Sequence, residues 1–160
     1  MCDTSPKKGK QCTLRAAIEE ANDTPGPDVI NFKIGGTAAV KTISPTSPLP
    51  AITDPVTING YSQPRAKANT KTSGNNAVLK IQLDGTNAGA GANGLTITAG
   101  SSTVRGLVIN RFSGDGIRLE TGGNNTTAGN FIGTDSAGTS ALGNAGNGVS
   151  IDGSSDRRFV

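Results

Sequence analysis

Three copies of one short pattern of apolar and polar positions recur in the second half of the chain. Each copy is an Asn-Gly or Asp-Gly pair followed by an apolar, a polar and an apolar residue, at 93–97, 115–119 and 147–151. The first two copies lie 22 residues apart, and the third lies 32 further on because a polar insert, residues 134–144, precedes it. Short strands that recur at this interval bury their apolar side by stacking on the next copy. The pattern therefore predicts an all-β fold, a parallel β-helix.

A second column of apolar triplets runs beside the first. Its members end at Phe32, Ile58, Leu83, Ile109 and Ile132, at spacings of 26, 25, 26 and 23 residues. Because side chains alternate along a strand, the residues expected to point outward are Thr57, Gln82, Val108 and Phe131 in this column and Thr96, Arg118 and Ser150 in the first. Neither set contains a pair of carboxylates. The Asn, Asp and Gly residues of the turns are expected to supply positive φ angles.

One short amphipathic helix is predicted at residues 13–22, with Thr13 as its N-cap. Its apolar stripe consists of Leu14, Ala17, Ile18 and Ala21. A helix of ten residues needs an apolar surface to lie on, and the end of a stack of strands needs a cap. We therefore expect the stripe to cover the interior formed by Ile30, Phe32 and Ile58.

Composition agrees with one folded domain of 160 residues that has few aromatic side chains. Hydrophobic residues make up 33%, and 23 glycines bring the total into the range of globular proteins. The net charge is +3, and the basic residues are scattered along the sequence except at Lys7, Lys8 and Lys10. Nucleic-acid binding requires clustered cations with stacking aromatics, so we expect a solvated surface and no nucleic-acid partner.

The inventory of reactive side chains is small. The chain has no His, which excludes Ser/His and Cys/His nucleophilic sites and leaves a zinc site without ligands. No metal or cofactor is expected, and no apolar run is long enough to span a membrane. Cys2 and Cys12 would form a disulfide-closed loop in an exported protein and two thiols in a cytosolic one. Asp84, Asp115 and Asp152 lie beside Gly, where a turn role is expected to outweigh catalysis.

Several segments resemble a known family. Residues 12–18, Cys-Thr-Leu-Arg-Ala-Ala-Ile, with Ala21-Asn22, resemble the CSLREAI-type N-terminal segment of exported bacterial right-handed parallel β-helix proteins. Residues 52–64 and 129–135, with Gly138-Thr139 and 142–144 after the latter, are similar to recurrent signatures of the same proteins. The resemblance implies a right-handed β-helix of the pectate-lyase-like superfamily. It also implies a secreted or cell-surface bacterial protein whose leader is not in this sequence. One departure is Ala16, where the family has Glu.

With export implied, a Cys2–Cys12 disulfide is expected. The predicted organisation is an N-terminal cap at 1–27, made of the disulfide loop and the helix, followed by β-helix coils at 28–160. The last coil is incomplete, so we expect an N-terminal fragment of a longer, monomeric solenoid.

The function expected from the sequence is that of a non-catalytic structural or adhesive module that binds polysaccharide or cell-surface glycan weakly through loops. The candidate contacts lie in the insert 134–144, namely Asp135, Ser136, Thr139 and Asn144. The alternative is a polysaccharide lyase or glycoside hydrolase on the same fold. An ice- or mineral-binding surface needs a flat outward Thr array, and the sequence suggests only Thr57 and Thr96, in different columns.

Overall fold

Parallel β-strands and one short helix make up the protein, as a computed structural model shows for residues 12–36 and 39–153 and for the backbone of 158–159. The helix α1 spans Leu14–Asp23, and a single 3₁₀ turn spans Gly60–Ser62. The strands, in chain order, are β1 Asp28–Asn31, β2 Lys41–Ile43, β3 Val56–Asn59, β4 Ile81–Asp84, β5 Leu95–Ile97, β6 Thr103–Arg105, β7 Leu107–Asn110, β8 Ile117–Glu120, β9 Thr126–Ala128, β10 Phe131–Ile132, β11 Val149–Asp152 and β12 Arg158–Phe159.

The strands form three parallel sheets that the chain visits in turn. Sheet A has the order β1-β3-β6-β9-β12, sheet B β2-β4-β7-β10, and sheet C β5-β8-β11. We call one passage through the three sheets a rung. Rung 1 holds β1 and β2, and Ile52 completes it by a parallel bridge to Ile97 in sheet C. This arrangement is consistent with a β-solenoid and compatible with a parallel β-helix.

The first predicted column is confirmed, whereas the second merges two sheets. Leu95, Ile117 and Val149 stand in register in sheet C, as the repeated pattern predicts. Ile58, however, pairs with Ile30 in sheet A, while Leu83 pairs with Ile109 in sheet B. The prediction of two columns is therefore wrong, and there are three. Strands on different sheets share the same apolar alternation, so spacing alone could not separate them.

The interior is a column of aliphatic side chains from all three sheets. In β3, Val56 and Ile58 are buried and the residues between and after them are half-buried, and β4 and β8 repeat this alternation. Val108 departs from it, because it was expected to face solvent and is instead fully buried. It lies outside the main core cluster, as does the buried Leu79. The outer face of sheet B is thus covered at β7.

The glycines of the repeated turns are required by close packing between rungs. Gly94 and Gly116 do not have positive φ angles, contrary to the expectation for these turns. A Cβ on Gly94 would collide with the carbonyl oxygen of Gly116, and a Cβ on Gly116 would lie 2.6 Å from the carbonyl oxygen of Gly148. The next rung therefore occupies the space that a side chain at Gly94 or Gly116 would need. Positive φ angles are found instead at the corner between sheets A and B, at Gly106 and Gly129.

Helix α1 begins and packs as predicted. The Thr13 hydroxyl accepts a hydrogen bond from the backbone N–H of Ala16 at 3.2 Å, which caps the first turn. The apolar stripe is buried, and it belongs to the same core cluster as Ile30, Phe32 and Ile58. Arg15 donates to Ser47 and to the Pro48 carbonyl, which ties the polar side of the helix to rung 1.

Two predictions from the N-terminal region lie partly outside the described residues. Cys2 is among residues 1–11, so its disulfide with Cys12 stays a prediction. The division into a cap at 1–27 and coils at 28–160 likewise stays a prediction.

Candidate functional site

The insert 134–144 forms an ordered hairpin between sheets B and C. Thr134 and Ala141 form an antiparallel bridge, and the N–H of Leu142 donates to the Gly133 carbonyl at 2.8 Å. The buried side chain of Asn110 donates to the Thr134 carbonyl at 2.8 Å, which ties the hairpin to rung 3. The four candidate contact residues are thus held on a defined support.

Asp135 organises this hairpin from within. Its Oδ1 accepts hydrogen bonds from the backbone N–H groups of Thr139, at 2.8 Å, and Ser140, at 3.2 Å. These two bonds lower the pKa of the Asp135 carboxyl, which stays ionised because its charge is already solvated by the backbone. A ligand hydroxyl would have to compete with these intramolecular donors. Asp135 therefore has a structural role in addition to any contact role.

The other three candidate residues differ in how far their side chains are available to contact a ligand. The Asn144 side-chain oxygen accepts from the N–H of Phe112 at 3.0 Å, so this amide links rungs. Thr139 is exposed, and its hydroxyl also bonds the Asp135 carboxylate at 3.3 Å. Ser136 is half-buried on the same hairpin. The surface that remains for a ligand centres on Ser136 and Thr139.

A second polar group, which the sequence analysis missed, lies on the outer face of sheet C. Arg118 contacts Glu120 at 2.6 Å within β8 and Asp152 at 2.7 Å on β11. Glu120 and Asp152 are direct partners in the strand register. The hydrogen bond that Arg118 donates to Glu120, together with the charge of Asp152, raises the pKa of the guanidinium further above its usual range. The expectation that the outward positions hold no carboxylate pair is thus wrong, because these positions continue one residue beyond each apolar triplet.

Asp84 and Asp115, which the sequence analysis assigned to turns, also form hydrogen bonds that stabilise the fold. Asp84 contacts Arg111 at 2.7 Å and accepts hydrogen bonds from the backbone and hydroxyl of Thr86. Partial burial raises the pKa of Asp84, but the bonds from Thr86 and Arg111 together outweigh it and lower the pKa. Asp115 is buried and bonds the next rung rather than its own turn.

The outward threonines are arranged differently from the prediction. Thr57, Thr103 and Thr126 stand in one column on three successive strands of sheet A. The adjacent outward column mixes Asn31, Asn59, Arg105 and Ala128. A flat array of two Thr columns therefore does not form on this sheet.

The described residues contain no group of three or more Cys, Asp or Glu side chains placed to hold a metal ion. In the same part of the chain, no helix has the length and apolar character needed to cross a membrane.

Comparison with protein-family models, curated proteins and solved structures gives no match for this chain.

Proposed function

We propose that the chain is part of an exported, right-handed parallel β-helix protein of the pectate-lyase-like type, and that it acts as a non-catalytic structural or adhesive module. The three parallel sheets are compatible with that fold, and the segment 12–18 resembles the N-terminal segment of such exported proteins. Localisation at the cell surface or in the medium is part of the same proposal.

The observation that supports the non-catalytic role is that the carboxylates on rungs 2 to 4 are bonded to other groups of the protein. Asp84 and Asp135 accept hydrogen bonds within their own turn and hairpin, and Asp115 accepts one from Asn147 of the next rung. Glu120 and Asp152 share Arg118. A general base needs a carboxylate within hydrogen-bond reach of a substrate proton, and these groups are occupied by protein donors.

In this proposal the hairpin 134–144 contributes weak glycan contacts through Ser136 and Thr139. A rigid loop loses little conformational entropy when a ligand binds. The absence of aromatic side chains in the hairpin keeps the expected affinity low.

The second candidate, a polysaccharide-active enzyme, is favoured by the Glu120–Asp152 pair. Acid–base chemistry on a glycosidic bond uses two carboxyl groups that flank the bond, and Glu120 and Asp152 lie on neighbouring strands of one outward face. In this alternative a substrate would have to displace Arg118 from both carboxylates.

One experiment separates the two candidates. The purified protein is incubated with neutral and anionic polysaccharides, and ultraviolet absorbance of unsaturated sugars and new reducing ends are followed. The non-catalytic module gives no product, whereas an enzyme gives product that Glu120→Gln abolishes. In parallel, deletion of residues 136–141 is expected to reduce retention on polysaccharide while thermal unfolding stays cooperative. Unchanged retention in a folded deletion variant would remove the hairpin from the proposal.

A further inference from the structure

Basic side chains that are scattered in the sequence gather at the corner between sheets A and B. We call this group the basic corner; it consists of Lys33, Arg65, Lys67, Lys71, Lys80 and Arg105. Lys33 belongs to rung 1, Arg105 to rung 3, and the other four to the long connection between β3 and β4 in rung 2. Stacking of the rungs brings these distant connections to one corner.

Hydrogen bonds hold rungs 1 to 4 together at this corner. The Gln63 side chain bonds both backbone groups of Ile34, at 2.8 and 2.9 Å, which places Lys33 beside the start of the long connection. Arg105 donates to the Asn59 side chain at 3.0 Å. The Tyr61 hydroxyl reaches the Gly129 carbonyl at 2.8 Å and spans rungs 2 to 4.

The long connection is itself an ordered hairpin. Lys67 and Val78 exchange two backbone hydrogen bonds of 2.9 and 2.8 Å in an antiparallel bridge. Arg65 lies in the turn that leads into this bridge, with a φ angle of 70°, and Lys80 follows two residues after Val78 on the other arm. Near the tip, Asn69 bonds the backbone of residues 71, 74 and 76. The cations therefore project from a fixed backbone and not from a random loop.

The charge of this region is not neutralised within the described protein. Residues 33–80 contain six basic residues and one acid, Asp54, although the whole chain carries only +3. Asp54 accepts from the Gly26 N–H at 2.8 Å, at the corner between sheets C and A. By contrast, the described ion pairs join Arg111 and Arg118 to acids elsewhere. Like charges gathered without counter-charges repel each other and attract a polyanion.

We propose that the basic corner binds an anionic polysaccharide, a linear chain of sugars that carry carboxylate or sulfate groups. The cations span three rungs and one hairpin, so they suit an extended ligand with charges at intervals. Ile34 and Val78 lie at the same corner with 41% and 38% exposure, and they offer limited apolar area for the carbon faces of sugar rings.

Two other polyanions fit less well. A single-stranded nucleic acid needs aromatic side chains for base stacking, and Tyr61 is half-buried with its hydroxyl bonded to Gly129. A membrane surface favours an amphipathic helix with large apolar side chains on one face, and the basic corner is built from a hairpin and strand ends. This inference deepens the proposed glycan-binding role and moves its main contact away from the hairpin 134–144.

The test measures binding of fluorescently labelled polygalacturonate and of a sulfated polysaccharide by anisotropy, with dextran as the neutral control. The whole chain is used, at about 50 and about 200 mM salt, because release of counterions from a polyanion makes binding salt-dependent. The native protein should bind both anionic polymers, bind more weakly at the higher salt, and not bind dextran. The triple variant R65Q/K67Q/K71Q should lose more than about tenfold in affinity.

The matched control is R65K/K67R/K71R, which keeps all three charges and should bind within about twofold of the native protein, because counterion release depends on the number of charges. These side chains are exposed, so both variants should unfold at the native temperature. Equal binding by the Gln variant, equal binding of dextran, or no binding at all would overturn the proposal. So would a preference for single-stranded DNA or for vesicles rich in anionic lipid. Product release in the same samples would overturn the non-catalytic function and leave the basic corner standing.

Discussion

Asp115 and Asn147 are joined across two rungs, because Oδ1 of Asp115 accepts hydrogen bonds from both the backbone N–H and the side-chain amide of Asn147, at 2.7 and 3.2 Å. One rung earlier, Oδ1 of Asn93 accepts from the N–H of Asp115 at 2.7 Å. The repeated Asn-Gly and Asp-Gly turns therefore form a ladder in which each side chain satisfies the backbone of the next turn. This ladder is a physical reason for the pattern that recurs in the sequence.

Replacement of Asp115 by Ala should destabilise the protein by about 1–3 kcal/mol, since it removes the buried acceptor of two hydrogen bonds from Asn147. Asp115→Asn keeps a carbonyl oxygen at the same position and should cost less than about 1 kcal/mol. Urea unfolding at pH 7 measures both free energies. Equal losses in the two variants would show that the charge, and not the hydrogen bond, matters.

Gly116 and Gly148 offer a matched pair for the close packing of rungs. An added Cβ at Gly116 would meet the Gly148 carbonyl oxygen and the Ile132 side chain, each at 2.6 Å, whereas at Gly148 the nearest atom is 3.6 Å away. We expect Gly116→Ala to cost about 1–3 kcal/mol through overpacking. Gly148→Ala should change the free energy of unfolding by less than about 1 kcal/mol. Thermal and urea unfolding test this, and similar losses at both positions would contradict it.

Much of the fold could be predicted because apolar alternation and its period are local properties of the sequence. The copies at 95, 117 and 149 align as predicted, and the Leu14–Ala21 stripe lies on the predicted core. The assignment of Ile58 and Leu83 to one column failed because both triplets have the same pattern. Only the hydrogen-bond register separates sheet A from sheet B.

The candidate sites were harder to predict, because they depend on which connections the stacking brings together. Glu120 and Asp152 are 32 residues apart in the sequence and neighbours in the sheet. Lys33 and Arg65 lie at the same corner because the Gln63 side chain bonds the backbone of Ile34. One signal was available in the sequence: the apolar triplets at 117 and 149 are each followed by an acid, two positions beyond an outward residue.

Acid should weaken the folded state partly through Asp84. Its pKa is lowered in the folded protein from the ordinary value of 3.8, because bonds from Thr86 and Arg111 outweigh the effect of burial. Around this pH the unfolded chain binds more protons, so stability rises with pH. The contribution is complete above the unfolded pKa and is lost as the pH falls through the lower folded pKa.

The midpoint of urea unfolding, measured from pH 7 down to pH 3, should therefore fall less steeply for Asp84→Asn than for the native protein. Part of the fall should remain, because the pKa of Asp135 is lowered in the same direction. Arg111→Gln keeps the bonds from Thr86 and should give an intermediate slope. If the urea midpoint falls as steeply at acid pH in Asp84→Asn as in the native protein, Asp84 does not contribute to the acid sensitivity.

The start of helix α1 has an incomplete capping arrangement at Ala16. Thr13 bonds the Ala16 N–H at 3.2 Å, but no acid lies in the first turn to return a bond to the Thr13 backbone. Glu at this position, which is where the resembling proteins carry it, would complete a capping box and place a negative charge at the positive end of the helix. Ala16 is half-exposed, so the longer side chain has room.

Ala16→Glu should therefore stabilise the protein by about 0.5–1 kcal/mol at low salt. Ala16→Gln, which can form the bond without the charge, should retain only part of the gain, and the difference between the two should shrink in about 1 M salt. Thermal and urea unfolding provide the measurement, and an Ala16→Glu variant no more stable than the native chain at low salt would refute the assigned cap.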